Sequence, residues 1–260
     1  MTLEPVQYAL GAVSGGIVGF TLGLFGGGGS ILAVPLIVYL VGVPNAHLAI
    51  GTSAVSVAAN ALSGLASHAR SGHVNWRCAA VYSVAGMLGA FAGSLVGKAI
   101  DGHHLLLAFA GLMLVVGVLM FRRRHDSGNP GASCNRENAP TVVLFGAGTG
   151  LLSGFFGIGG GFLIVPGLIA STGMPMINAI GSSLVAVAAF GMTTAISYAW
   201  SGLVDWALAL AFIGGGVAGG LAGTRAATRL QTRKGTLNVL FAALIVMVAI
   251  YMAWRSLNAA

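Results

Sequence analysis

Long apolar runs, separated by short polar breaks, set the rhythm of this chain. Each half carries five of them. In the first half they cover about 6–25, 30–42, 46–67, 75–97 and 104–121. In the second they cover about 140–156, 161–173, 176–198, 205–228 and 235–254. A helix of about 20 apolar residues is long enough to cross a bilayer. The second run of each half is shorter than that, and a glycine cluster joins it to the first run. Glycine ends helices and lets the backbone turn sharply. Each such pair is therefore expected to form broken or re-entrant half-helices.

The two halves are copies. Gly19 to Pro35 reads GFTLGLFGGGGSILAVP and Gly150 to Pro166 reads GLLSGFFGIGGGFLIVP, identical at nine of 17 positions. Ala49 to Val57 (AIGTSAVSV) matches Ala179 to Val187 (AIGSSLVAV), and Ser67 to Trp76 (SHARSGHVNW) matches Ser197 to Trp206 (SYAWSGLVDW). Three organisational units follow: a first transmembrane repeat over 1–121, a linker over 122–139 and a second repeat over 140–260.

Composition agrees with a membrane class. The 260 residues are 57% hydrophobic and only 7% charged, against roughly 25% charged in soluble domains. No Asp, Glu, Lys or Arg occurs from Pro5 to Ala69 or from Asn138 to Val204. A water-soluble enzyme, a nucleic-acid binder and a disulfide scaffold are excluded. The net charge of +7 comes from basic residues in short loops, the pattern of the positive-inside rule. Met1 to Gln7 lacks a basic leader region, so the first span is expected to stay. With the linker in the cytoplasm, 10 of the 12 Lys and Arg residues lie inside, and only Lys98 and Arg255 lie outside. Both termini are then external, and the halves have opposite orientation. The expected fold is an all-α integral membrane protein with an inverted-topology tandem repeat, a plan of secondary transporters, in the cell (inner) membrane.

The candidate chemistry lies in the small residues. A broken helix offers free N–H groups and the positive end of its dipole, an anion site without a charged side chain. This singles out Gly27, Gly28, Gly29 and Ser30, with Gly159, Gly160 and Gly161 in the second copy. The hydroxyls of Thr52, Ser53, Ser182 and Ser183 can donate to an oxyanion, or bond back to their own helices. Asn60 is a buried-run amide whose repeat partner is Phe190. It suits either a substrate contact or an interhelical bond. No glycine cluster is followed by the Lys of a phosphate-binding loop. Asp205 and its counterpart Asn75 are expected to cap helices. His47, His68 and His73 are expected to be solvated at helix ends. Cys78 and Cys134 have neither metal-type nor framework spacing. No carboxylate pair, Ser–Lys arrangement or zinc motif suggests catalysis. No enzyme activity, cofactor or metal is expected.

The duplicated glycine-and-proline motif, followed by AIGTSAVSV and its copy, resembles the TauE/SafE family of bacterial sulfite and sulfonate exporters. The resemblance covers nearly the whole chain. It implies transport of small sulfur anions such as sulfite, thiosulfate or sulfoacetate. It places the family's glycine motif at Gly26, Gly28, Gly29 and Pro35, with Gly157, Gly159, Gly160 and Pro166. It places the hydroxyl motif at Thr52, Ser53, Ser182 and Ser183. Gly161 departs from the pattern by replacing the serine of the first copy, Ser30. The expected partners are a small anion and the lipid bilayer, with a homo-oligomer compatible with the small-residue faces and no nucleic acid. An anion channel and a non-transporting membrane scaffold or sensor are the alternative readings.

Overall fold

A computed structural model describes residues 4–100, 102–122, 129, 134, 138–156, 161–230 and 236–258. Among these, every element is helical. Helix α1 (Pro5–Phe25) runs directly into a 3-10 segment (Gly26–Leu32), a single turn α2 (Ala33–Pro35) and a π turn (Leu36–Leu40). The chain continues through α3 (Ala46–Arg70), α4 (Trp76–Gly97), α5 (Gly102–Arg122), α6 (Ala139–Phe156), α7 (Gly161–Thr172), α8 (Met176–Trp200), α9 (Trp206–Leu230) and α10 (Thr236–Asn258). Among the described residues, six helical stretches are long and apolar enough to cross a membrane: Pro5–Leu40, Ala46–Arg70, Trp76–Gly97, Ala139–Phe156, Met176–Trp200 and Trp206–Leu230. The element boundaries follow the apolar runs to within a few residues.

Local signals set the helix ends. The side chain of Asn45 accepts the amides of His47 and Leu48, and that of Asn75 accepts the amide of Cys78. Asp205 accepts the amide of Leu208 at 2.9 Å. These caps satisfy amides that have no partner inside the helix. Past the last turns of α3, α7 and α8, Gly72, Gly173 and Gly202 take φ of 71°, 69° and 67°, a left-handed stop that favours glycine.

Packing runs across the copies. Helix α1 lies along α9, α4 along α6, α3 along α8 and α5 along α10. Under the repeat, the first two pairings exchange with each other. Glycines bring the backbones together. A side chain added at Gly19 would strike the carbonyl of Gly216, and one added at Gly150 would strike that of Gly86. Close approach of this kind supplies dispersion contacts where lipid leaves little hydrophobic drive between helices.

Two hydroxyls brace the same framework. The amide of Asp205 donates to Thr52 Oγ1 at 2.9 Å, and that of Asn75 donates to Ser182 Oγ at 2.8 Å. Each ties the chain entering one helix to a helix of the other copy. Thr52→Ala strands one of these amides and is expected to destabilise the fold by about 1–3 kcal/mol. The check is the melting temperature in detergent. An unchanged value would mean that water replaces the hydroxyl.

Other contacts bring distant segments together. Gln7 Nε2 donates to the Val41 carbonyl at 3.0 Å, so the start of α1 and the end of the π turn lie side by side. Lys98, past the end of α4, donates to the carbonyl and hydroxyl of Ser197 near the end of α8. The amide of Asn129 donates to the Gly173 carbonyl at 2.7 Å. Cys78 and Cys134 form a disulfide across 56 residues. Nothing in their spacing signals this pair, which holds Cys134 against the start of α4.

Candidate functional site

The site begins where α1 stops. Gly26 has φ of 63°, which takes the backbone out of the helix at a residue without a Cβ. The 3-10 segment that follows is almost entirely buried. Irregular backbone at membrane depth is tolerated when protein surrounds it, and here each glycine has a neighbour. A side chain at Gly26 would strike Ile180 and the Ser183 hydroxyl. At Gly27 it would strike the carbonyl of Gly161, at Gly28 the ring of Phe241, and at Gly29 the backbone of Leu22 and Thr21. Phe25 stacks on Phe241 with ring centroids 5.5 Å apart, so α10 covers the cluster.

The second copy meets the first at this point. Gly161 starts α7, and a side chain there would strike the carbonyl of Gly27 and the hydroxyl of Ser30. Ser30 Oγ donates to the Gly27 carbonyl at 2.9 Å. The Gly27 amide donates to Ser183 Oγ at 2.9 Å, and Ser183 Oγ donates to the Ile180 carbonyl at 2.7 Å. Gly27, Ser30, Gly161 and Ser183 thus form one buried junction of the 3-10 segment, α7 and α8. Gly161 also opens a helix of 12 residues, whose positive dipole end points at the junction. Further along α7, Pro166 has no amide to give and leaves a carbonyl one turn earlier unpaired by the helix.

The other candidates are placed as follows. Gly28 and Gly29 continue the segment on its α10 and α1 sides. Ser53 Oγ donates to the Ile50 carbonyl of its own helix at 2.8 Å. Thr52 and Ser182 are turned to the helix entries described above. Asn60 is buried, and neither atom of its amide has a hydrogen-bond partner. It lies against Gly216 of α9, where Phe190, its repeat equivalent, lies against Gly86 of α4. Gly157, Gly159 and Gly160 lie outside the described residues.

Comparison with known proteins gives this junction a context. Residues 11–252 match the family described as Sulfite exporter TauE/SafE. The chain is 52% identical to a "Probable membrane transporter protein" of Xylella fastidiosa strain 9a5c, over 98% of each chain. It is 30% identical to one of Methanocaldococcus jannaschii over 70% of each chain. No solved structure is significantly similar to it. The chain belongs to the TauE/SafE family. It is a multi-pass membrane transporter, and the transmembrane transport reading of the sequence stands.

One correction concerns this transporter's histidines. His68 is not solvated. It is fully buried in the last turn of α3, with Nε2 3.1 Å from the Gly23 carbonyl. The reason is structural: α3 extends to Arg70, and α1 ends beside it with carbonyls that lack helical partners. His47 and His73 are half-buried rather than solvated. In the loop after α3, burial holds the His73 imidazole below its ordinary range. The sequence signal for His68 was the repeat itself, since its counterpart is Tyr198, a bulky polar residue that is also fully buried. An apolar cavity of about 290 Å³ lies elsewhere, between α5, α6 and α7, and includes Met120, Leu163 and Pro166 in its lining. Its wall suits hydrocarbon, not an anion.

Proposed function

We propose that this TauE/SafE protein is a secondary carrier that exports small sulfur-containing anions, such as sulfite, thiosulfate or sulfoacetate, by alternating access. The observation that carries the reading is the junction of Gly27, Ser30, Gly161 and Ser183, where one broken segment from each copy converges. The amide N–H groups and dipole at the start of α7 can hold an oxyanion there without a buried cation, joined by the Ser30 and Ser183 hydroxyls once these turn from the Gly27 and Ile180 carbonyls to the anion. Gly28 and Gly29 flank the junction, and Ser53, Gly159 and Gly160 complete the proposed set of substrate contacts. Asn60, an unpaired buried amide, is a further substrate contact. Thr52 and Ser182 keep the surrounding helices in place.

The plan of the carrier is an inverted repeat with re-entrant first pairs. Gln7 beside Val41 supports re-entry in the first copy, because both ends of the pair reach one side. Asn129 beside Gly173 supports it in the second. The rocking of one copy against the other would open the junction to each side in turn. The basic residues orient the protein with the linker in the cytoplasm and the termini outside, in the cell inner membrane. An anion leaving a negative interior gains about 2.3 kcal/mol per charge per 100 mV, so export needs no cation gradient.

The test is flux in proteoliposomes, comparing sulfite, thiosulfate, sulfoacetate, taurine and sulfate with and without an imposed membrane potential. Saturable, potential-driven movement of a sulfur anion is expected. Folded protein that moves none of these anions would overturn the reading, and flux that never saturates would replace the carrier with a channel.

A further inference from the structure

Breaking α1 at Gly26 leaves backbone groups at membrane depth without helical partners. Two side chains from different helices take them up. The Gly27 amide goes to Ser183 of α8. The Gly23 carbonyl, one of the last four of α1, goes to His68 of α3. A carbonyl oxygen can only accept, so the Nε2 of His68 carries the hydrogen. Its Nδ1 is then a bare lone pair in the neutral ring. That atom is fully buried and has no hydrogen-bond partner. A buried acceptor in this state costs free energy unless something donates to it.

The fold places one end of a helix dipole beside this ring. The C-terminal end of α1 carries the negative pole of its dipole, which stabilises a cation beside the last turn. Few charged side chains lie on the elements packed against it. Neither α1, the 3-10 segment nor α8 contains an Asp, Glu, Lys or Arg. Arg70 ends α3 exposed, and α9 holds Arg225 and Arg229, both exposed, in its last turns. The ionisable group in ring contact is His73, with centroids 5.9 Å apart. His73 itself sits in the loop whose backbone lies against Gly181, two residues before Ser183. The second copy has no such base: Tyr198 replaces His68 and Leu203 replaces His73.

We propose that His68 is a proton-binding residue of the transport site, taking up one proton at Nδ1 with each anion bound at the adjacent junction. This rests on the anion-carrier reading above. The imidazolium formed is held by the α1 carboxyl-terminal carbonyls and by the anion. A dianion carried with one proton crosses as a single negative charge, so the membrane potential still drives its export. The protein thereby couples to protons with no carboxylate in its apolar spans.

The experiment uses full-length protein in proteoliposomes with the membrane potential clamped at zero. Thiosulfate and sulfoacetate are the probes, because neither takes up a proton near neutral pH. With the lumen one pH unit more alkaline, wild-type protein is expected to accumulate the probe about tenfold. His68→Gln keeps a donor for the Gly23 carbonyl but cannot be protonated. It is expected to exchange internal for external probe, yet to accumulate none. His73→Gln is expected to accumulate it as wild type does. Wild-type flux that ignores the pH difference, or a His68→Gln protein that still accumulates the probe, overturns the proposal alone. No probe movement at all in wild-type protein overturns the carrier reading and this proposal together. If His68→Gln fails to fold, the wild-type response to the pH difference decides.

Discussion

Gly161→Ala is expected to abolish substrate movement, with a loss of stability of about 1–3 kcal/mol from overpacking. The added methyl would meet the carbonyl oxygen of Gly27 and the hydroxyl of Ser30. The first is backbone and cannot rotate aside, so the 3-10 segment and α7 would have to separate. The amides proposed to bind the anion would then no longer converge. Backbone strain is not the cause, because Gly161 is not among the positive-φ glycines. Gly148→Ala is the control. Gly148 lies in α6 with nothing within 4 Å of an added Cβ, and alanine there should leave flux unchanged and add about 1 kcal/mol of helix propensity at most. The measurements are sulfite flux in proteoliposomes and melting temperature in detergent. Wild-type flux from Gly161→Ala would show that the two clusters do not need their contact during transport.

Where the residues carried a period or a repeat, the fold was legible from them. The runs 46–67 and 176–198 became α3 and α8 because an apolar helix has no other way to satisfy its backbone in lipid. Asn75 and Asp205 were legible as caps, because a short polar side chain before an apolar run has one favoured use. The hydroxyl pairs were half legible. Recurrence marked Thr52, Ser53, Ser182 and Ser183 together, but neighbouring positions on a helix face different ways. Ser183 reaches the glycine segment, whereas Ser182 reaches the entry to α4. Direction depends on packing across the copies, which no local pattern encodes. His68 was misread for the same reason. Its position two residues before a basic helix end suggests water, and only the arrival of α1 beside it makes the site dry. The Cys78–Cys134 bond joins positions 56 residues apart, and neither composition nor spacing specifies that pairing.

Ser183→Ala is expected to weaken substrate affinity by about 10- to 100-fold while the protein stays folded. The hydroxyl has two partners in the junction: it accepts the Gly27 amide and donates to Ile180. Without it the Gly27 amide is buried and unpaired, a cost of about 1–3 kcal/mol, and each 1.4 kcal/mol is about a factor of ten. That cost falls on the state in which the glycine segment is seated against α8, the state that the proposed carrier cycle uses to close over substrate. Ser53→Ala should weaken transport less, since the described bond of Ser53 returns to Ile50 in its own helix. Ser182→Ala separates site from scaffold, because its hydroxyl takes the Asn75 amide at the entry to α4. It should lower the melting temperature and leave affinity alone. The concentration dependence of sulfite flux reads the first effect, and thermal unfolding reads the second. If Ser182→Ala weakened affinity as much as Ser183→Ala, the hydroxyls would be acting on the helix bundle as a whole. The Gly27–Ser183 contact would then have no special place in the transport cycle.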